Sequence, residues 1–578
     1  MTTSSSIFTS LPASIEKAFA LRVSAWEKTQ TVGRIWRGDA SLWSNSDEHR
    51  WLGWLDAIET QLEKIDRLRE VQCIAATNRF DHALVLGMGG SSLSSKVFRT
   101  TFGRIDGAPD LHVLDSTDPA QIRSLERQLD LSRTLFIISS KSGTTLESEM
   151  FLRYFFKRVE ASLGAKGAAN NFIAITDSGS KLDEIARLFG FSQIVHGVPS
   201  IGGRYSVLSS FGMIPAAIIG LDVEKLLKRA DSMRAQCAPS IPVNNNPGAM
   251  LGLALGVAAE CGRDKVTIVT SPRIFGLGEW LEQLLSESIG KKGKGLIPVV
   301  GECLGGSDTY GMDRVFVYVR DETNPDNTQD QAIAKLKAGG HAVISLHLNE
   351  IYDICAECFR WEFATIVAAA VLGVNPFNQP DVEASKLETK RLTKVYERTG
   401  KFPVERSVAR NKDLELYCND VNMVDLAEDG KSLELTKVVT EYLSKLDEGD
   451  YIAILAYVEM KSSNHDVLKR IRESISDERR VATCLGYGPQ YLHSTGQLYK
   501  GGPSSGIFFL ITCEDVCDLA VPGYSCSFGT VKAAQALGDF ESLSKLGRRV
   551  VRIHIRGEAK SGLDRIAELL RKSNQALH

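Results

Sequence analysis

TLFIISSKSGTTLESE, residues 134–149, is the stretch that sets the fold. Leu135, Phe136, Ile137 and Ile138 form a short apolar run with branched side chains, the pattern of a strand buried on both faces of a parallel sheet. Small and polar residues follow: Ser139, Ser140, Lys141, Ser142, Gly143, Thr144 and Thr145. Leu146, Met150, Leu152 and Phe155 then mark out a helix. A strand that passes through a hydroxyl-rich turn into a helix aims free N–H groups and the positive end of the helix dipole at that turn. The hydroxyls add donors, Lys141 adds charge, and Gly143 permits close backbone approach. Two readings fit: a phosphate cradle, or an ordinary helix start with Thr144 and Glu147 as a capping box.

The same alternation runs outward in both directions. ALVLG (83–87) is a strand before MGGSSLSS, whose helix ends near Gly103. LHVLD (111–115) comes next, with Pro119 in the following first helical turn, and NFIAITD (171–177) is a fourth strand. Such alternation predicts a doubly wound parallel sheet with ligands at the carboxyl ends of its strands. A second unit follows in VTIVT (266–270), LIPVV (296–300), RVFVYV (314–319) and AVISLHL (342–348), with helices near 277–290, 351–373 and 381–399. The polar stretch near 400–430 is a candidate linker. YIAILAYVE (451–459), VATCLGY (481–487), GIFFLIT (506–512) and RRVVRIHI (548–555) form a further open α/β layer or complete an earlier sheet. Residues 1–80 read as a mainly helical cap anchored by Trp26, Trp36, Trp43, Trp51 and Trp54. The expected divisions are 1–80, 81–240, 241–400 and 401–578.

Composition narrows the function. With 43% hydrophobic and 24% charged residues the chain is globular, and a net charge of −3 gives no basis for binding nucleic acid or an anionic membrane. No apolar run is long enough to span a bilayer, and MTTSSSIFTSLPASIEKAF lacks a secretory pattern, so no membrane association and a cytoplasmic location are expected. Eleven scattered cysteines suit a reducing compartment. The CxxC of Cys355 and Cys358 lies in a helical pattern with no second pair, and reads as thiols rather than zinc ligands.

Five further segments offer chemistry. GMGGSSLSS (87–95) can seat a sugar or phosphate at Gly89, Gly90 and Ser91. It also partly matches a dinucleotide fingerprint, with Ser92 at the last motif position and Asp115 as the ribose acid, or is a plain tight turn. SIGGRYS (200–206) presents Arg204, a rigid fork for an oxyanion or for a common salt bridge. In GEWLEQLLSESIGKKGKG (278–295), Gln283 and Glu287 share one helix face; apolar neighbours would suit Glu287 to general-base work, and a solvated acidic face would not. FNQPDVEASK (377–386) sets Lys386 near a helix start, where the dipole disfavours a cation and another partner is implied. HSTGQLYKGGP (493–503) sets His493 in a loop-like, polar stretch before a Gly-rich turn, although a lone histidine is more often structural.

As a set, these motifs resemble the glucose-6-phosphate isomerase family over about residues 80–510. Gly89, Gly90 and Ser91 match its glycine-glycine-serine loop. Ser140, Lys141, Ser142 and Thr145 match its Ser-Lys-Thr-x-x-Thr loop, with serine for the first threonine. The Gly-Gly-Arg-Tyr-Ser segment is intact, and Gln283, Glu287, Ser288, Gly290 and Lys291 match the Gln-x-x-x-Glu-Ser-x-Gly-Lys helix. Phe377, Asn378, Gln379, Val382, Glu383 and Lys386 match the lysine signature, with Asp381 in place of its glycine. His493 and Gln497 reproduce a His-Ser-x-Gly-Gln segment. In ordinary members the histidine segment precedes the lysine signature; here it follows, and the chain most resembles the isomerase half of bacterial transaldolase–isomerase fusions. Nothing before residue 80 can form a transaldolase barrel, so no transaldolase activity is expected.

The resemblance implies an α/β fold of two doubly wound, parallel-sheet sugar isomerase (SIS-type) domains, with the helical cap and an additional carboxyl-terminal α/β segment. It implies interconversion of glucose 6-phosphate and fructose 6-phosphate without cofactor or metal. His493, supported by Lys386, opens the ring; Glu287 moves a proton between C2 and C1 through a cis-enediolate; Arg204 stabilises that enediolate. Gly89, Gly90, Ser91, Ser140, Lys141, Ser142, Thr144, Thr145 and Gln283 hold the sugar phosphate. The family histidine comes from the neighbouring subunit, which implies a homodimer. Rival readings are an isomerase that also accepts mannose 6-phosphate, a non-catalytic sugar-phosphate sensor, and a nucleotide-dependent oxidoreductase.

Overall fold

The structure, a computed structural model, describes residues 7–77, 80–420, 423 and 432–577. Strand β1 (Ile7–Ser10) opens the chain. The first sheet holds β2 (His82–Leu86), β3 (Asp110–Leu114), β4 (Thr134–Ser139), β5 (Phe172–Thr176) and β6 (Gln193–His196), all parallel, in the order β3-β2-β4-β5-β6. Apolar patterning does not reveal β6, because QIVH is short and mostly half-buried.

The second sheet is built from β7 (Lys265–Thr270), β8 (Ile297–Val300), β9 (Arg314–Asp321) and β10 (Ala342–Leu348), in the order β1-β10-β9-β7-β8. Its strands are parallel except β1, which runs antiparallel along β10. The first 80 residues are therefore not purely helical; they also close one sheet edge, which removes a row of unpaired backbone groups.

The carboxyl-terminal segment makes a sheet of its own rather than completing an earlier one. It comprises β11 (Ala409–Arg410), β12 (Leu414–Cys418), β13 (Tyr451–Tyr457), β14 (Ala482–Tyr487), β15 (Gly506–Cys513) and β16 (Arg549–Ile555), in the order β11-β12-β16-β15-β13-β14. Its antiparallel edge, β11 and β12, comes from the expected linker. LELYC alternates buried and half-buried residues, the mark of a strand with one wet face. Residues 421–422 and 424–431 of that stretch lie outside the described residues.

In each sheet the first of the parallel strands lies between the next two in sequence: β2 between β3 and β4, β7 between β8 and β9, β13 between β14 and β15. Such a reversal opens a crevice at the carboxyl ends of the strands. The helices that shape these crevices are α1 (Leu93–Phe102), α2 (Leu146–Asn170), α3 (Gly276–Ile289), α4 (Ile354–Leu372), α5 (Val382–Thr399) and α6 (Phe528–Lys545). Cys355 and Cys358 are buried in α4, and burial pushes both thiols up, as expected of core thiols. No helix of the described residues is long and apolar enough to cross a membrane.

The amino-terminal tryptophans join one core with the first two sheets: Trp26, Trp43 and Trp54 are buried in it, with Trp36 and Trp51 at its margin. Trp43 donates its indole N–H to the Ile366 carbonyl of α4 at 2.8 Å. Trp54 stacks on Tyr205, with ring centroids 5.5 Å apart. The Tyr205 hydroxyl lies 3.0 Å from Ser288 Oγ. Tyr205 adjoins Arg204 and Ser288 adjoins Glu287. A stacked aromatic pair contributes about 0.5–1.5 kcal/mol beyond its buried area. The cap thus braces from behind the two elements that carry Arg204 and Glu287.

Candidate active site

The loop after β2 is glycine because other segments close in on it. Gly89 has φ +55°, and a Cβ there would stand 2.6 Å from the His493 carbonyl oxygen and 2.7 Å from Gln283 Nε2. A Cβ on Gly90 would lie 2.0 Å from the Gly203 carbonyl oxygen. Ser91 completes the same short turn. After β4, Ser140 Oγ donates to Thr145 Oγ1 at 3.2 Å, and the Ser142 and Thr144 hydroxyls are 2.9 Å apart. Thr145 stands at the start of α2 without a side-chain cap, so the capping-box alternative does not hold. Lys141 is paired with Asp177, so its charge already has a carboxylate partner.

Arg204, only 5% exposed, gathers the next shell. Its Nε donates to Glu287 Oε2 at 3.0 Å. One terminal nitrogen donates to the Pro376 carbonyl at 2.8 Å and the Glu287 carbonyl at 3.3 Å, and the other to Gln379 Oε1. Gln283 Nε2, one helical turn before Glu287, donates to Glu287 Oε2 at 3.0 Å and to the His493 carbonyl at 2.9 Å. His493 Nε2 lies 2.8 Å from Glu147 Oε1. Gln535 of α6 donates to the same carboxylate oxygen at 2.6 Å and accepts from Thr117 at 3.0 Å. Burial pushes the Glu147 carboxyl up, but the His493 charge and the hydrogen bonds outweigh it and hold the group below the usual range. Arg204, Glu287, Gln283, His493 and Glu147 thus form one connected path within a single chain.

Gln497 fixes the histidine segment. Its Nε2 donates to the Gly290 carbonyl at 2.9 Å and to Asp381 Oδ2 at 2.5 Å, and its Oε1 accepts from the Asp381 N–H at 2.9 Å. Asp381, the departure from the family glycine, is therefore the tether between the histidine and lysine motifs. Lys291, just past α3, donates to the Asn375 carbonyl at 2.7 Å and to the Asn378 side chain at 3.1 Å. Burial, together with the charge of Arg204, pushes its ammonium down to about 6.

Two expectations need correction. Lys386 does not reach the site: its side chain is 53% exposed and its ammonium pairs at 2.7 Å with Glu383 on the same helix. Asp115, the would-be ribose acid, is paired with Lys96 at 2.8 Å, which leaves the nucleotide reading without its anchor. Sequence reasoning considers Glu147 only as one half of an alternative capping box and misses it as a partner of His493. It misses Gln535 and Thr117 altogether, because neither lies in a motif.

A family model described as phosphoglucose isomerase matches residues 56–296. The glucose-6-phosphate isomerase of Acholeplasma laidlawii is 28% identical over 392 residues, covering 59% of this chain and 90% of that relative. That of Prochlorococcus marinus is 28% identical over 401 residues, covering 63% and 73%. Over residues 56–296 the chain is similar to the glucose-6-phosphate isomerase family. A hypothetical protein from Thermus thermophilus shares the fold, with a TM-score of 0.57 at 24% identity over 66% of this chain and 99% of that one. The isomerase-family match takes in Arg204, Gln283 and Glu287 and ends before Gln379 and His493. Those two residues join Arg204 and Gln283 from the later half of the chain.

Proposed function

We propose that this chain interconverts glucose 6-phosphate and fructose 6-phosphate by ring opening and a proton transfer between C2 and C1. The observation that carries the reading is the joining of Arg204, Glu287 and Gln283 with His493 and its buried partner Glu147 by hydrogen bonds. The hydroxyl-rich turn at 140–145 and the Gly89–Ser91 loop hold the phosphate and the sugar at the β2/β4 crevice. His493, backed by Glu147, protonates the ring oxygen. Glu287 takes the proton from C2 and returns it at C1. Arg204, which contacts Glu287, stabilises the enediolate formed between. A proton α to a carbonyl is weakly acidic, so the base and the charge stabiliser are both needed, each for a factor of about 10²–10⁴. Lys386 has no part in this scheme.

The His493 that meets Gln283 and Glu147 belongs to the same chain as Glu287, so this reading needs no histidine from a neighbouring subunit to complete the site. All eleven cysteines are free, which suits a reducing, cytoplasmic setting. A coupled assay with purified chain tests the reading. Conversion of glucose 6-phosphate is expected, with slower or no conversion of mannose 6-phosphate; binding of the sugar phosphate without conversion would turn the reading toward a sensor.

A further inference from the structure

The opposite edge of the first sheet carries a second constellation. β2 begins at His82 and β3 at Asp110, at the amino ends of their strands and away from the Gly89 and Ser140 loops. His82 stands opposite Asp110, and Leu84 opposite His112. Asp110 and His112 are two residues apart on one strand, and so share a face, which His82 joins from the neighbouring strand. His82 Nδ1 is 3.2 Å from His112 Nε2, and that same Nε2 is 3.5 Å from Asp110 Oδ2. The three donor atoms lie within 4.8 Å of one another.

The 3.2 Å spacing is at the long end of a hydrogen bond and the 3.5 Å spacing is beyond it. They suit a shared cation better. Donors held about 2.0–2.1 Å from a tetrahedral zinc stand about 3.4 Å from each other. Two imidazoles and one carboxylate are a donor set that zinc accepts, and three protein ligands leave a fourth position for water. His112 is buried, whereas His82 and Asp110 are partly exposed and provide a way in. The charge of Arg99 is felt at His112 and opposes a cation there; the Asp110 carboxylate supplies the compensating charge.

We propose that His82, Asp110 and His112 form a divalent-metal site of the zinc type that ties β2 to β3, separate from the isomerisation site. Full-length chain stripped with a chelator, then titrated with Zn²⁺ by calorimetry and with Co²⁺ by visible absorption, tests it. Expected are a single ion per chain and a tetrahedral Co²⁺ spectrum without a thiolate charge-transfer band. Zinc should also raise the melting temperature. His82→Gln and Asp110→Asn, both at partly exposed positions, should each weaken binding by more than about tenfold, since even outer ligand partners are worth that much. Isomerisation should be unchanged in both variants. Absence of binding, a thiolate band from exposed thiols such as Cys73, Cys261, Cys303 or Cys517, or affinity that survives both substitutions would overturn the assignment.

Discussion

Helix α3 buries Trp280, Leu281, Leu284 and Leu285 along with Gln283 and Glu287, so it is packed nearly all round. Helix α5 buries Val382, Ser385, Thr389 and Leu392, and leaves Glu383 and Lys386 in water. Both helices carry a family motif of similar length. The buried positions of α5 recur at spacings of three and four, one stripe of a helix lying on the protein. Lys386 follows Ser385 directly and so falls about 100° off that stripe. A motif fixes the residue type; the packing stripe decides whether the side chain can meet a substrate.

The contrast predicts a graded series of variants. Glu287→Gln should abolish isomerisation, a loss of at least about 10²–10⁴-fold in kcat, with sugar-phosphate binding largely kept; near-normal turnover would take Glu287 out of the reaction. His493→Ala should cost about 10²-fold on cyclic substrate and much less when open-chain sugar phosphate is supplied. Equal loss on both forms would argue against a ring-opening role.

Gln535→Leu removes a hydrogen bond from the buried Glu147 carboxylate. About 1.5 kcal/mol, or roughly tenfold in kcat, is expected, with KM little changed and the acid limb of the pH profile moved. An unchanged pH profile would reduce Gln535 to a packing residue.

The next variant acts on stability. Burial, with Glu279 beside it, pushes the Glu282 carboxyl of α3 up to about 8. The folded chain therefore keeps a proton that the unfolded chain releases above its ordinary value of 4.5. Between those pH values the folded state binds more protons, so its stability falls as pH rises. The melting-temperature advantage of Glu282→Gln over the parent should accordingly grow from pH 5 to pH 8, and a constant difference would contradict it. The smallest effect belongs to Lys386→Ala: an exposed pair of this kind is worth about 0.2–1 kcal/mol, and turnover should stay within about twofold. A large loss of kcat would mean that α5 turns inward when substrate binds.

Much of this was legible in the sequence. Apolar runs gave the central strands of all three sheets, because strands buried on both faces have no polar alternation to hide them. The edges were harder. β1 and β6 are four-residue strands, and β12 lay in a polar stretch although LELYC alternates as a one-faced strand should. In the candidate site, Arg204, Gln283, Glu287 and His493 lie in motifs that the family resemblance picks out; residue type and spacing alone left each of them open. Glu147 meets His493 across 346 positions of sequence, and Gln535 sits in a helix without any motif. Such partners follow from tertiary packing, which local patterns do not carry.

The central claim is that one chain supplies both Glu287 and His493 to one site. Glu287→Gln and His493→Ala chains, each inactive or nearly so, should be unfolded together, refolded as an equimolar mixture and assayed for glucose 6-phosphate conversion. A site completed within each chain predicts that the mixture stays as inactive as its parts. Restored turnover would mean that the histidine crosses between subunits, and would contradict the account.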